Sequence, residues 1–451
     1  MHIDELHIQN FRCFQEIHFK FSPDNVAIVI GINGSGKSSV LDCIAALLMQ
    51  LRVQILGIEF MNFSGLDTVQ TMINEELPIT IDDIKKKAHF LNVYITIALD
   101  ANQKISWNIQ KNINQPIPLI HKNQIHDYIN RLRPQLLQQG NGNLPLLAYY
   151  RTSRMLLANK SIDINDLDNK NSDCNINQLN AYWGAFNPGI IKFKDFLIWF
   201  RQEEDYENEI RLRQDNAYRN PNLEVIRKAI EVFLAEFPDS DFHNLRVVRA
   251  KSQRNLDFTR NPDPPSLTIT KNNQDFKLEQ LSDGEKMLLM LVTDLARRLA
   301  IANPGLGVNA LEGEGIVLID EIDLHLHPQW QRIVIPSLTR TFPNCQFIVT
   351  THSPQVLSNV KRENVFILED YQLVEVTPHT YGRDSNSILY ELMGVKERPS
   401  QVQEKINTCF ALIDEEKIEE AKIKLQELAE LLGENDPEVV RGQTLISFLT
   451  D

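Results

Sequence analysis

The feature that most constrains this chain is a glycine-rich run set between an apolar strand and an amphipathic helix. Residues 26–30 are apolar and largely β-branched, and Gly31-Ile32-Asn33-Gly34-Ser35-Gly36-Lys37-Ser38 follows. From 38 to about 53 apolar residues recur at Val40, Leu41, Ile44, Leu47, Leu48 and Leu51, the spacing of a helix. Glycines let successive backbone N–H groups converge on one point, and the helix adds its positive end. Strand, G-x-x-x-x-G-K-[ST] loop and helix together form a cradle for nucleotide phosphates. Lys37 is expected to reach the β- and γ-phosphates and Ser38 to offer its hydroxyl to Mg2+. Gly31, Asn33, Gly34, Ser35, Gly36 and Ser39 complete the expected contact set. ATP and Mg2+ are therefore the expected cofactors.

Three further runs extend the pattern. Residues 316–321, Ile-Val-Leu-Ile-Asp-Glu, place a short apolar run ahead of two acids. A buried parallel strand there would deliver Asp320 and Glu321 at its C-terminal end, where open α/β sheets bind ligands. Asp320 would hold Mg2+ through water, and Glu321 would polarise an attacking water as general base. Taken singly, the run equally fits a strand stopping in a solvated turn. Residues 281–286, Leu-Ser-Asp-Gly-Glu-Lys, open a long helical pattern. Ser282 with Glu285 three residues on is an ordinary capping box. A helix N-terminus with a free serine hydroxyl and an unobstructed Gly284 is also a phosphate site. Residues 348–353, Ile-Val-Thr-Thr-His-Ser, end the next apolar run on His352. That histidine would reach a γ-phosphate or the catalytic water if its strand neighbours that of Asp320; a lone histidine is more often structural. Arg12, within Phe11-Arg12-Cys13-Phe14, reads either as a contact to phosphate or adenine or as a surface arginine. His325 and His327 have no evident third ligand and read as a turn facing a partner subunit.

The organisation between these motifs is uneven. Residues 92–100 and 104–110 read as a hairpin, 144–150 as another apolar run, 165–180 as an Asn/Asp-rich loop, and 193–213 and 223–237 as helices. A β-α-β unit returns over residues 315–350, and beyond 383 the chain is helical and acidic. The expected layout is a discontinuous core at 1–55 and 265–383, an inserted region of strands and a helical lid at 56–264, and a helical segment at 384–451. No apolar run looks long enough to span a bilayer, and the first residues lack the pattern of a signal peptide, so no membrane and a cytoplasmic location are expected. The five cysteines are scattered and odd in number, which argues against a disulfide framework or a zinc site. The net charge is −14, and residues 401–451 carry twelve acids against five bases. Such a surface repels phosphates, so that end is not a nucleic-acid platform.

Phosphate loop, long insertion, Ser282 turn, acidic strand and His352, in this order, resemble the ATPase heads of the RecF, Rad-fifty, structural-maintenance-of-chromosomes and overcoming-lysogenization-defect proteins. The resemblance covers residues 1 to about 50 and 276 to 370. It implies an α/β fold, an ABC-type P-loop ATPase head with a mixed central sheet. It also implies a homodimer or higher homo-oligomer, with two copies head to tail around two ATP molecules. Ser282 and Gly284 would then contact the γ-phosphate bound on the other subunit, Asp323 through His327 would form the dimer-contacting turn, and His352 would be the histidine switch. The chain departs from the pattern in reading Leu-Ser-Asp-Gly-Glu-Lys for Leu-Ser-Gly-Gly-Gln. No Q-loop glutamine stands out, and the insertion lacks the heptads of a coiled-coil arm.

Residues 147–151 (LAYYR) and 384–395 (DSNSILYELMGV) are similar to the ATPase subunit of Septu-type and retron-associated anti-phage systems, which works with a separate HNH nuclease. That resemblance implies control of a partner nuclease, with any DNA contact made through the complex. The chain itself is expected to have no nuclease activity: after residue 370 there is no D-x-D pair, and Asp166-Leu167-Asp168 falls in the Asn/Asp-rich loop. The alternative is a RecF-like DNA-repair ATPase that binds DNA directly, which the acidity disfavours. An importer or exporter ATPase is opposed by the insertion and the altered turn.

Overall fold

The computed structural model of the chain describes residues 1–60, 79–100, 102–115, 117–121, 123–139, 142–152, 178–186, 193–238, 241–248, 266–374, 378–395 and 398–450. Asp166, Asp168 and Cys174 lie outside the described residues. The chain divides into two compact units, Met1–Arg383 and Asp384–Asp451.

The first unit is built on two sheets with one helix between them. The N-terminal strands β1 (His2–Gln9) and β2 (Glu16–Lys20) bury alternate residues, as period-two patterning requires. β3 (Val26–Gly31) runs into the glycine loop and α1 (Lys37–Phe60). β4 (Phe90–Ala98), β5 (Lys104–Asn112) and β6 (Leu119–His121) add antiparallel to β1, giving the order β2-β1-β4-β5-β6. α2 (Asn123–Gln139) leads toward β7 (Leu146–Tyr150).

α3 (Phe193–Arg213) and α4 (Pro221–Leu234) follow. The small sheet β8 (Phe242–Val248), β9 (Ser266–Lys271) and β10 (Gln274–Lys277) has the order β10-β9-β8. α5 (Asp283–Ala302) is buried along most of its length and packs on α4. Then come β11 (Gly315–Ile319), α6 (Pro328–Thr341), β12 (Cys345–Thr350), the single turn α7 (Pro354–Leu357), β13 (Val365–Glu369) and β14 (Gln372–Leu373).

The second sheet has the order β14-β13-β3-β12-β11-β7. β13, β3, β12, β11 and β7 are mutually parallel, and only β14 pairs antiparallel. β11 and β12 are buried at every position, the composition of strands covered on both faces. Parallel alignment puts the C-terminal ends of β3, β12, β11 and β7 along one edge, so Gly31, Thr350, Ile319 and Tyr150 end side by side. The sheet is mixed, as expected for the fold class.

Two expectations differ from this arrangement. β7 falls within the stretch read as inserted, yet it pairs in register with β11, Tyr150 beside Ile319, and closes the central sheet. β4 and β5 likewise extend the sheet begun by β1. The stretch at 56–264 is therefore interleaved with the core. The second difference concerns α1. Over Lys37–Gly57 it is long and apolar enough, by length and composition, to cross a membrane. The reason is its position: it contacts β3, β7, β11 and β12 on one side and β4 and β5 on the other. Val40, Leu41, Ile44, Leu47, Leu48 and Leu51 are all fully buried. The Trp107 indole N–H on β5 donates to the Leu47 carbonyl at 3.0 Å and fastens the β2-β1-β4-β5-β6 sheet to this helix.

The second unit consists of α8 (Ser385–Met393), α9 (Ser400–Asp414), α10 (Ile418–Leu432) and α11 (Pro437–Thr450). Asp384 caps α8 by accepting from the N–H groups of Asn386 and Ser387. Ile406, Cys409, Ile413, Ala421, Leu425, Leu428, Val439 and Ile446 form a core of their own.

Candidate active site

The site begins in the bend of the glycine loop. Gly36 has φ of +101°, and a Cβ there would lie 2.5 Å from the Phe14 ring and 2.8 Å from the Cys13 sulfur. Only glycine meets both demands. Phe14 is itself fully buried, so the aromatic pair around Arg12 forms a floor beneath the loop. The Ser35 hydroxyl is buried and has no hydrogen-bond partner among the described residues. A buried unsatisfied hydroxyl is costly in a finished core and ordinary at a site that receives an oxygen ligand. Asn33, Gly34 and Ser38 are exposed at the crest. Ser39 contacts the Cys13 thiol, so it braces the loop from below.

Lys37 is 7% exposed, and its ammonium donates to the carbonyls of Gly31 at 2.9 Å and Ile32 at 3.0 Å. Burial pulls its pKa below the usual lysine value, against the opposing charges of Asp320, Glu321 and Asp323. A half-desolvated cation facing three carboxylates gains by meeting the γ-end of a polyphosphate.

Asp320 is where the sequence motifs meet. The Ser38 hydroxyl donates to it at 2.9 Å (Oδ2) and 3.2 Å (Oδ1), although the two residues are 282 positions apart. Thr350 Oγ1 donates to Oδ1 at 2.6 Å, and Thr152 Oγ1 to Oδ2 at 3.0 Å. The Asp320 N–H donates to the Tyr150 carbonyl at 2.8 Å. A serine hydroxyl against a carboxylate, both hard oxygen donors, is the set that suits Mg2+. Ser38 and Asp320 would hold the ion, which would neutralise charge on the phosphates.

Glu321 sits one residue on with φ of +49°, a sparsely populated conformation for a side chain of this size. The Thr350 hydroxyl holds it there by accepting the Glu321 N–H at 2.8 Å. Thr350 thus serves both acids at once. Asp323 accepts from Thr351 Oγ1 at 2.6 Å and from the His352 N–H at 3.3 Å. The His352 turn is tied to the acidic strand end by this carboxylate.

The 281–286 turn is differently arranged. Ser282 caps α5, and Glu285 closes the capping box. Glu285 also forms an ion pair with Lys271. Burial disfavours the Glu285 charge, and the Lys271 and Ser282 hydrogen bonds outweigh it, so its pKa lies below the ordinary value. Gly284 packs against the turn after Glu321: a Cβ there would lie 2.6 Å from the His325 carbonyl oxygen. His327 caps α6 by accepting the Gln329 N–H at 3.3 Å.

Arg12 is held between two carboxylates. Its Nη1 donates to Asp42 at 2.6 Å and its Nε to Asp83 at 2.8 Å. Burial opposes the charge, yet the two acids hold its pKa above the ordinary arginine value. In this geometry Arg12 is a strut between Asp42 and Asp83, with Nε and Nη1 engaged.

The sequence reading missed the group around Asp42. Asp42 follows Ser38 by one helical turn and accepts from Arg12, from Tyr149 Oη at 2.9 Å and from Arg151 Nη2 at 2.7 Å. On the opposite face of β7, Tyr150 Oη donates to Asp294 at 2.8 Å. Asp294 also accepts from Arg297 at 2.8 Å and Arg298 at 2.7 Å. The end of β7 therefore touches the loop helix, the acidic strand and α5. The Tyr-Tyr-Arg-Thr run was visible in the sequence; its partners lie about 100 residues away or more, beyond the reach of local patterning.

A family model described as "AAA domain, putative AbiEii toxin, Type IV TA system" matches residues 26–358. The chain is similar to the retron Vc95 probable ATPase of Vibrio cholerae serotype O1 biovar El Tor: 30% identical, over 88% of this chain and 80% of that protein. It is 28% identical to the retron Ec83 probable ATPase of Escherichia coli, over 89% and 78% of the two chains. The Septu protein PtuA of Bacillus mycoides (strain KBAB4) is 27% identical over 81% of this chain and 40% of that protein. With Ser38 against Asp320 at the end of a parallel sheet and a family model spanning most of its length, the chain belongs to this AAA domain family and to that of the retron Vc95 probable ATPase.

Proposed function

We propose that this chain is the ATP-hydrolysing subunit of an anti-phage defence complex and that its nucleotide cycle controls a separate nuclease subunit. The observation that carries the catalytic part is the contact of Ser38 with Asp320 at 2.9 Å. It brings a loop hydroxyl and a strand-end carboxylate together beside a buried lysine. In operation the loop N–H groups and Lys37 bind the β- and γ-phosphates. Mg2+, when bound through Ser38 and Asp320, supplies charge neutralisation on the transferred group. Glu321 would accept a proton from the attacking water, with Thr350 holding its backbone. Asp323 holds the His352 turn at the same edge, where His352 would sense the γ-phosphate.

The dimer rests on the resemblance. Ser282 and Gly284 would complete the site of a second copy, with residues 323–327 at the contact. The similarity to retron and Septu ATPases supports a defence role, and an HNH nuclease is the partner that resemblance implies. Any DNA contact would be made by the complex.

Asp320→Asn tests the catalytic part. It preserves shape and removes the charge that holds the metal. ATP should still bind in EDTA, while the Mg2+-dependent gain in affinity and turnover should fall about 100-fold. Mg2+-dependent turnover at the wild-type level would refute the site. Co-expression with the product of the neighbouring open reading frame tests the partner: an HNH nuclease whose cutting depends on Lys37 is expected, and cutting independent of Lys37 would refute control by the nucleotide.

A further inference from the structure

Asp320 receives three hydroxyls, and they are not equivalent. Thr350 is fully buried, donates its proton to Oδ1 and accepts the Glu321 N–H, so it is engaged inside the sheet. Ser38 and Thr152 share Oδ2, at 2.9 and 3.0 Å. Thr152 is part-exposed at the open edge, directly after the end of β7. Its position is over-determined. The Asp320 N–H donates to Tyr150, and both Tyr149 and Arg151 are bonded to Asp42 on the helix that carries Ser38. One short segment is thus clamped to both halves of the metal-binding pair.

We propose that Thr152 is a positioning residue for the magnesium ion; this rests on the magnesium–nucleotide reading of the site. A hydroxyl has one proton to donate and two lone pairs to accept with. When the Ser38 oxygen turns to the metal, Oδ2 loses that donor and Thr152 becomes the hydroxyl that keeps the carboxylate oriented. With its proton on Asp320, Thr152 retains a lone pair for a metal-bound water. It acts through Asp320 and the metal's water, as partners of metal ligands do elsewhere.

The test uses the full chain with Mn2+ as probe, titrated by electron paramagnetic resonance in the presence of a non-hydrolysable ATP analogue. Thr152→Val keeps the shape and deletes the hydroxyl; Thr152→Ala deletes the hydroxyl without risk of crowding. Each is expected to weaken Mn2+ binding about tenfold, with analogue affinity in EDTA unchanged, and Thr152→Ser is expected to restore it. Mn2+ binding within about twofold of wild type in a folded Thr152→Val or Thr152→Ala chain would overturn the proposal. Ser38→Ala separates the two readings. If it weakens Mn2+ while the Thr152 variants do not, only the role of Thr152 fails. If Ser38→Ala has no effect either, the magnesium reading fails and this inference falls with it.

Discussion

The glycine loop at 31–38 and the turn at 281–286 look alike as sequence: each has serine and glycine at the start of a helix. Their environments differ. The loop presents a buried Ser35 hydroxyl without a partner among the described residues and a buried lysine facing carboxylates. The turn has its serine spent on a capping box, its Glu285 on Lys271, and its Gly284 against the His325 carbonyl. A helix start built to receive a ligand leaves polar groups unsatisfied, whereas one that completes a structure satisfies them. This contrast supports the proposal that the loop is the primary nucleotide site. The turn already has a complete local role, and any role toward a second copy is added to that one.

Four variants would break or sharpen this contrast. The largest effect is expected on the turn's side. Asp294, which anchors α5 to Tyr150, is buried and paired with Arg297 and Arg298. Asp294→Asn should cost about 3–5 kcal/mol, because it strands buried cations; calorimetry measures it. Burial opposes the Asp294 charge, and the two arginines outweigh it, so its folded pKa lies well below the usual carboxylate range. That stability is present at neutral pH and is lost as pH falls below the unfolded value. The asparagine variant should show a flatter acid limb in its melting temperature, and an unchanged limb would contradict the assignment.

Next is Lys37→Ala, which should weaken ATP by about 3 kcal/mol or more, roughly 100-fold, since it removes charged hydrogen bonds to two phosphates. Equilibrium binding reads it, and an intact melting transition would place the loss at the ligand. Gly284→Ala should cost about 1–3 kcal/mol through overpacking on His325; a neutral result would mean the turn adapts freely. The smallest effect is Ser282→Ala, about 1 kcal/mol of stability from the lost cap. If the turn also serves a second copy, turnover should fall well beyond what that loss explains, and unchanged turnover would leave it as a cap only.

The legible part of the site is what lies within a few residues. Lys37, Ser38, Asp320 and Glu321 could be read because each motif carries its own strand or helix, and strand ends in a parallel sheet converge. The turn between Glu321 and α6 was read as facing a partner subunit; its closeness to Gly284 of the same chain is a tertiary fact that no local pattern carries. Arg12 was legible as a charged residue between aromatic anchors, but its partners Asp42 and Asp83 come from two distant segments. β7 was recognised as an apolar run and placed outside the core, because nothing local tells a strand that its neighbour is β11. Acids inside a helix, such as Asp42, look like ordinary surface residues until their partners arrive.

The most direct test of the central claim is Glu321→Gln, assayed for ATP binding and turnover on the same preparation. The account predicts that ATP binds with wild-type affinity, that turnover falls about 100-fold or more through loss of the general base, and that ATP traps a dimer seen by light scattering. Turnover at the wild-type rate would contradict the assignment of Glu321 and, with it, the composite site proposed here.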